Sequence, residues 1–347
     1  MRDFFKDNYN NIEFNKNLIN LISEISEYKG KLTAYQEQVP HIFKDLKENI
    51  PFQYVKNFNA IYGEKKVTNK RLKELLFYNA VPQTVIEDSV FCYHQTFSFI
   101  NKNYCTLSIS PENILELHFQ LINYITSDTA KWREKPISIL GTPEKGIPTI
   151  CYRSLPHTLI PQTMEQLCNQ YNYLSSSKKL HSLLLIAYFM LNYYCIVPFN
   201  QGSEKLAFMI MKLLLIKSGH TFVQYICLDK YIEKNELEYY DSLYKSSVNW
   251  YYNEHNTSFW LQTLLIIVLE AYQDLYDTIV DFICKQTKFE RIQDFVLKQK
   301  QTFTKDYIRD MYPDIAESTI NKALATLHDL GQIKLVSKGR TAHWIKV

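Results

Sequence analysis

Two apolar stretches are joined by Val197-Pro198-Phe199-Asn200-Gln201-Gly202-Ser203-Glu204-Lys205, and this junction is where the chain could do chemistry. A glycine-containing turn that feeds a helix N-terminus gathers backbone N–H groups, the usual place to hold a phosphate. Gly202, Ser203 and Lys205 are the candidate residues for binding such an anion. Glu204 argues against it: a carboxylate ~4 Å from a phosphate oxygen is repelled by about 4 kcal/mol at an effective dielectric of ~20. A purely structural reading of the junction competes. In it Ser203 caps a helix, Glu204 complements the helix dipole, and Leu206, Met209, Ile210, Leu213 and Leu214 bury one face. An acid–base catalyst is not at hand in the sequence. The nearest histidines are His181 and His220, and His118, on an apolar helix, reads as a hydrogen-bonded core residue. No P-loop, G-x-S-x-G or H-E-x-x-H pattern occurs.

The elements that must position this junction read as helices. Phe14, Leu18, Leu21, Ile22 and Ile25 recur at helical spacing, as do Leu72, Leu75 and Leu76, and Pro51 and Pro82 are expected to break the helices they follow. Ser110 and Pro111 open a further helix as cap and first residue. A β-hairpin signal follows, with strands at 137–141 and 148–152 around Thr142-Pro143-Glu144-Lys145-Gly146. Helices resume at Pro161, flank the junction, stop at Ser218-Gly219, and continue at about 229–252 and 257–283.

Composition bounds the class. The chain has 347 residues, 46% apolar and 22% charged, with 26 Tyr, 20 Phe and only 8 Gly. These are the proportions of an ordinary globular protein with long helices and large aromatic cores. Seven scattered cysteines without a C-x-x-C pair read as reduced core thiols, with no structural zinc expected. The N-terminus lacks an apolar signal core, and the apolar run from Leu180 to Phe199 holds His181, Ser182, Asn192 and several Tyr. A buried helix is therefore expected there and no membrane partner, and the expected compartment is the cytoplasm.

Residues 284–347 carry twelve Lys and Arg against seven Asp and Glu, an excess of five in a chain of net charge +3. A helix at about 288–299, helical patterns around 304–310 and 316–327, Gly331 as a stop, and two short strands at 333–336 and 342–345 make a winged helix-turn-helix pattern. Ser318, Thr319, Asn321 and Lys322 would face DNA from the second helix of the turn, and Lys338 and Arg340 from the wing. Asp310, Asp314 and Glu317 would oppose DNA there, and such modules also serve in protein docking or dimerisation, so both partners stay open.

The junction resembles the Fic (AMPylation) family signature, usually H-P-F-x-[DE]-G-N-G-R-x-x-R. Supporting likenesses are Lys131-Trp132-Arg133-Glu134 through Gly141, similar to the family's flap, and Cys227-Leu228-Asp229, Tyr239-Tyr240-Asp241 and Phe259-Trp260-Leu261 downstream. The resemblance implies a mainly α fold: a Fic-type helical core (96–283) with a β-hairpin flap, preceded by an N-terminal helical region (1–95) and followed by the winged helix (284–347). It also implies that the chemistry is degenerate. Val197 stands where the family has its histidine base, worth ~10²–10⁴-fold in rate. Gln201 replaces the acid that holds magnesium, a poor substitute for a carboxylate. Lys205 stands at the first Arg without its fork, and Phe208 at the second. Gln83-Thr84-Val85-Ile86-Glu87-Asp88 is similar to the family's inhibitory helix, which makes Glu87 the regulatory candidate, its Arg partner missing at 208. The expectation is a regulatory or DNA-binding protein without standard AMP transfer and without a required cofactor. The alternative is a transferase that uses ATP and magnesium with altered motif chemistry on a protein hydroxyl. A protein target at the flap and a homo-oligomer are further expectations.

Overall fold

The computed structural model describes residues 4–5, 16–62, 66–78, 80–123, 131–141, 149–153, 155–285, 287–299, 301–337 and 342–347. They form two compact units, one made of Met1–Ala34 with Phe43–Tyr276 and one made of Tyr35–Ile42 with Asp277–Val347.

The first unit is helical around a central pair. Helix α1 (Lys16–Gln38) buries Leu18, Ile25 and Leu32, one residue every two turns. Helix α2 (Pro40–Tyr62) runs through Pro51, where a break was expected. Proline removes the N–H that would reach residue 47, but Lys47 is exposed and water can serve its carbonyl. The buried side chains of Ile50, Tyr54 and Val55 hold the helix on either side. Helices α3 (Asn69–Phe77) and α4 (Val85–Asn103) start at Thr68 and Thr84, whose hydroxyls accept from Arg71 and Glu87 N–H groups. The boundary expected after residue 95 falls inside α4. Helix α5 (Pro111–Ile122) opens on Ser110 and Pro111 as the sequence led us to expect.

Strands β1 (Ser138–Gly141) and β2 (Thr149–Arg153) pair antiparallel, Ser138 opposite Arg153 and Gly141 opposite Thr149. Helix α6 (Ile160–Ser177) then leads to the pair that carries the junction, α7 (Ser182–Ile196) and α8 (Ser203–Lys217). Both are buried almost all round, which explains their uninterrupted apolar runs. Among the described residues no helix is long and apolar enough to cross a membrane. Gly219, at φ 78°, ends α8, with its N–H on Ile216 O and the His220 N–H on Leu215 O. The stretch expected to be helical at 229–252 holds two helices, α9 (Asp229–Lys234) and α10 (Glu236–Ser247), parted at Asn235, with a 3₁₀ turn at Trp250–Tyr252. Helix α11 (Ser258–Lys285) follows.

The second unit packs α12 (Lys288–Lys298), α13 (Lys305–Met311) and α14 (Glu317–Asp329) on a three-stranded antiparallel sheet of order β3-β5-β4. Its strands are β3 (Phe303–Thr304), β4 (Ile333–Ser337) and β5 (His343–Lys346). Ile292, Val296, Phe303, Ile308, Ile320, Leu324, Leu327 and Ile333 make its core. A capping box at Thr287 and Glu290 starts α12, and Gly331, at φ 69°, lets the chain leave α14.

Candidate functional site

Val197 ends α7 in a left-handed conformation, φ 48° and ψ 71°, with its N–H on Tyr193 O at 3.1 Å. A β-branched residue avoids this region, so the surroundings must impose it. Arg133, 2% exposed, does so. Its Nε donates to Val197 O at 2.6 Å, Nη2 to Ile196 O at 3.3 Å and to Leu155 O, and Nη1 to Lys135 O at 2.8 Å. Its own backbone N–H donates to Pro198 O at 2.9 Å. A guanidinium at the negative end of a buried helix, surrounded by carbonyls, is stabilised by dipole and hydrogen bonds together.

The loop rests on α5. Phe199 is stacked between His118, with ring centroids 3.6 Å apart and planes at 7°, and Trp132, at 5.1 Å and 29°. His118 Nε2 donates to Gln201 O at 2.8 Å, which makes Nε2 the protonated nitrogen. Burial pushes its pKa down to about 4, and Nδ1 is buried with no hydrogen-bond partner among the described residues. His118 is thus a neutral support under the loop, as expected of a core histidine. Gly202, at φ 75°, is required twice over. Its φ is one that side-chain-bearing residues rarely adopt, and a Cβ there would lie 3.0 Å from Ile122 Cγ2, closer than Cβ atoms normally pack.

At the start of α8 the N-cap is Gly202, and Ser203 is the first helical residue rather than the cap expected of it. The Ser203 hydroxyl turns back, accepting from Phe199 N–H at 3.0 Å and donating to Phe199 O at 3.1 Å. Tyr193 Oη donates to Ser203 O at 3.2 Å. The two charged residues that follow both have aromatic partners. Tyr240 Oη, on α10, donates to Glu204 Oε1. Lys205 Nζ lies 5.1 Å from the Phe58 ring centroid and 5.0 Å from that of Tyr62, both on α2, within cation–π range. Burial and the Glu204 charge push the Tyr62 and Tyr240 phenols above their ordinary range. Phe208 is buried, and the Gln201 side chain is exposed.

Glu87 is held by Arg71, whose Nε and Nη2 meet its two oxygens at 3.1 and 2.9 Å, while Gln83 N–H donates to Oε2 at 2.8 Å. Arg71 draws the Glu87 carboxyl below the usual carboxylate range. Arg71 also reaches Glu74 and Val81 O, fastening α3 to the start of α4. Further along α8, Lys212 is 2% exposed, and its Nζ lies 4.3 Å from the Tyr54 ring centroid and close on the face of Phe97. Among the described residues no hydrogen-bond partner reaches that amine, and burial drives its pKa well down. Among the described residues no cluster of His, Cys, Asp and Glu could hold a metal ion.

In the second unit Ser318, Asn321 and Lys322 are exposed on α14 and Thr319 is half-buried. Lys338 and Arg340 lie outside the described residues. Two of the three acids that would oppose DNA are paired: Asp314 with Arg291 at 2.7 and 3.2 Å, and Glu317 with Lys305 at 2.6 Å.

Sequence reasoning had noted Arg133 for its place before the flap, but not as the clasp of the loop. Its partners are backbone carbonyls, which no residue pattern encodes. Tyr240 stands out in the sequence only within a motif-like segment and not as the partner of Glu204, and Phe58, Tyr62 and Arg71 do not stand out at all, because nothing local ties an aromatic or an Arg to a charge many turns away.

Comparison with known proteins agrees with this architecture. Residues 108–215, which run from just before α5 through β1, β2, α6 and α7 into α8, match the family model of the Fic/DOC family. A Fic family protein from Desulfovibrio desulfuricans superposes with a TM-score of 0.60 at 14% identity, covering 96% of both chains. A Fic domain containing signaling protein from Bacteroides thetaiotaomicron gives 0.51 at 16% identity, covering 78% of this chain and 94% of that one. Fic-1 from C. elegans gives 0.58 at 15% identity, covering 78% and 73%. No curated protein sequence matches the chain. The protein is thus a mainly helical one with a Fic/DOC-family fold.

Proposed function

We propose that this is a Fic-fold protein that does not carry out standard AMP transfer and acts as a regulatory, DNA-binding protein. The observation that carries the first part is the pairing of Lys205 with Phe58 and Tyr62 and of Glu204 with Tyr240. The cation that would meet a phosphate is turned onto aromatic faces, and the Glu204 carboxyl, held by Tyr240, stands at the helix start where the phosphate would lie. Val197 offers no base, and Gln201 offers a neutral amide whose backbone carbonyl already receives His118. The residues present therefore do not fit ATP and magnesium.

The DNA-binding reading takes the second unit as a winged helix-turn-helix with α14 as the recognition helix. Its support is the exposed run of Ser318, Asn321 and Lys322 beside Asp314 and Glu317, whose charges Arg291 and Lys305 offset. Fluorescence anisotropy against duplex DNA, titrated with salt, tests this reading. With about four neutralised phosphates, affinity should fall roughly a hundredfold between 50 and 200 mM salt. Lys322→Ala should lower the salt slope by about one, and Asn321→Ala should relax base discrimination by about 1–3 kcal/mol. Binding that is absent or independent of salt would move the second unit to protein docking.

A further inference from the structure

Away from the loop, the first unit holds a second recognition arrangement, around Phe4 and Phe5. The two residues are 2% and 0% exposed, and neither belongs to a helix or a strand. Side chains far along the chain take the backbone polar groups of Phe4. Its N–H donates to Gln170 Oε1, 166 residues away on α6, at 2.8 Å. Its carbonyl accepts from Asn192 Nδ2, 188 residues away on α7, at 3.5 Å. The Phe5 ring meets Tyr188 edge to face, with centroids 6.3 Å apart and planes at 79°.

Asn192 makes this arrangement more than ordinary packing. It is 1% exposed in a helix that after its first residue, Ser182, is otherwise built of apolar and aromatic residues, where a side-chain amide is costly unless its hydrogen bonds are made. Trp250 Nε1 donates to its Oδ1 at 2.8 Å, which fixes the flip and turns Nδ2 toward Tyr188 O and Phe4 O. Two side-chain amides thus read the N–H and C=O of one residue, beside seats for two aromatic rings. Backbone hydrogen bonds that set register, with pockets that select side chains, are how proteins bind short peptide segments.

We propose that α6 and α7 form a peptide site for two consecutive aromatic residues, filled in cis by Phe4-Phe5, and that a second such segment can take their place. A tethered occupant competes at a high effective concentration, so a free peptide meets a wild-type site that is already taken. The site also adjoins the loop along the chain. Asn192 is followed by Tyr193, which bonds Ser203, and α7 ends at Val197.

The test uses the full-length chain and a fluorescein-labelled peptide of its first eight residues, Met-Arg-Asp-Phe-Phe-Lys-Asp-Asn. Phe4→Ala/Phe5→Ala empties the seats, and the variant should bind this peptide saturably, about tenfold or more tightly than wild type does. A peptide with alanine at both aromatic positions should not bind. If the alanine pair unfolds, Phe4→Leu/Phe5→Leu keeps the core filled but loses the edge-to-face contact with Tyr188, and the labelled peptide should displace this weaker tethered pair at a lower concentration than it displaces Phe4-Phe5. Equal affinity for wild type and variant, no binding by a folded variant, or equal binding of the alanine peptide would each overturn the proposal.

Discussion

Val197 is a valine held where valine is disfavoured, with Arg133 fixing the carbonyls on either side of the bend. Left-handed backbone costs an L-residue about 1–2 kcal/mol, and asparagine or glycine bears it more easily. Val197→Asn should therefore raise stability by about 1 kcal/mol, read as a higher urea midpoint with unchanged slope. A lower midpoint would mean that the valine side chain contributes more by packing than its backbone costs. Lys212 is the second residue at odds with its surroundings. Its folded-state pKa lies below its unfolded one, so the unfolded chain binds more protons and stability rises with pH toward about 10.5. Lys212→Met should remove that rise and stabilise the fold by about 1–4 kcal/mol near neutral pH. Denaturant melts of both proteins at pH 7 and pH 9 check it, and a destabilised variant would mean that Asp229 or the ring faces depend on the amine. Neither strain was legible in the sequence. Val197 was marked there as a lost base, whereas its backbone angle depends on Arg133, 64 residues earlier.

At the scale of elements, the helices with local punctuation were legible and those without it were not. Ser110 with Pro111 and Gly219 mark their helix ends because cap and left-handed positions demand particular residues. Asn235 parts α9 from α10 with neither glycine nor proline nearby, and Pro51 breaks nothing because buried neighbours hold α2 together. The packing of α5 under the loop gives a pH signature. His118 has its pKa lowered to about 4, so its stabilising contribution is complete above about pH 6.5 and is lost as pH falls toward 4. The loss is on the order of 3 kcal/mol. Asp229, raised to about 6, acts in the opposite sense over part of that window, since its protonation favours the folded state. The His118 contribution is therefore read by difference. His118→Gln should be less stable than wild type at pH 7, and its stability should fall less between pH 6.5 and 4. Parallel pH profiles would show that the ring under Phe199 does not titrate as its burial requires.

Over the whole molecule, the proposed function separates the fold from the family's activity. Helices that match the Fic/DOC family surround a loop whose charged groups are engaged by α2 and α10 of the same chain. The order of motif-like segments made the fold legible, because apolar helices and a glycine turn leave strong patterns. The fate of Glu204 and Lys205 was not legible, because their partners are tyrosines and a phenylalanine among 46 such residues. We propose that this loop does not carry out nucleotide transfer. Incubation with α-labelled ATP and magnesium, alone and with cell lysate, measures it most directly. The account predicts no label on the protein or on any target, for wild type and equally for Tyr240→Phe, which frees Glu204. Label transferred by wild type and lost on Lys205→Ala would contradict it.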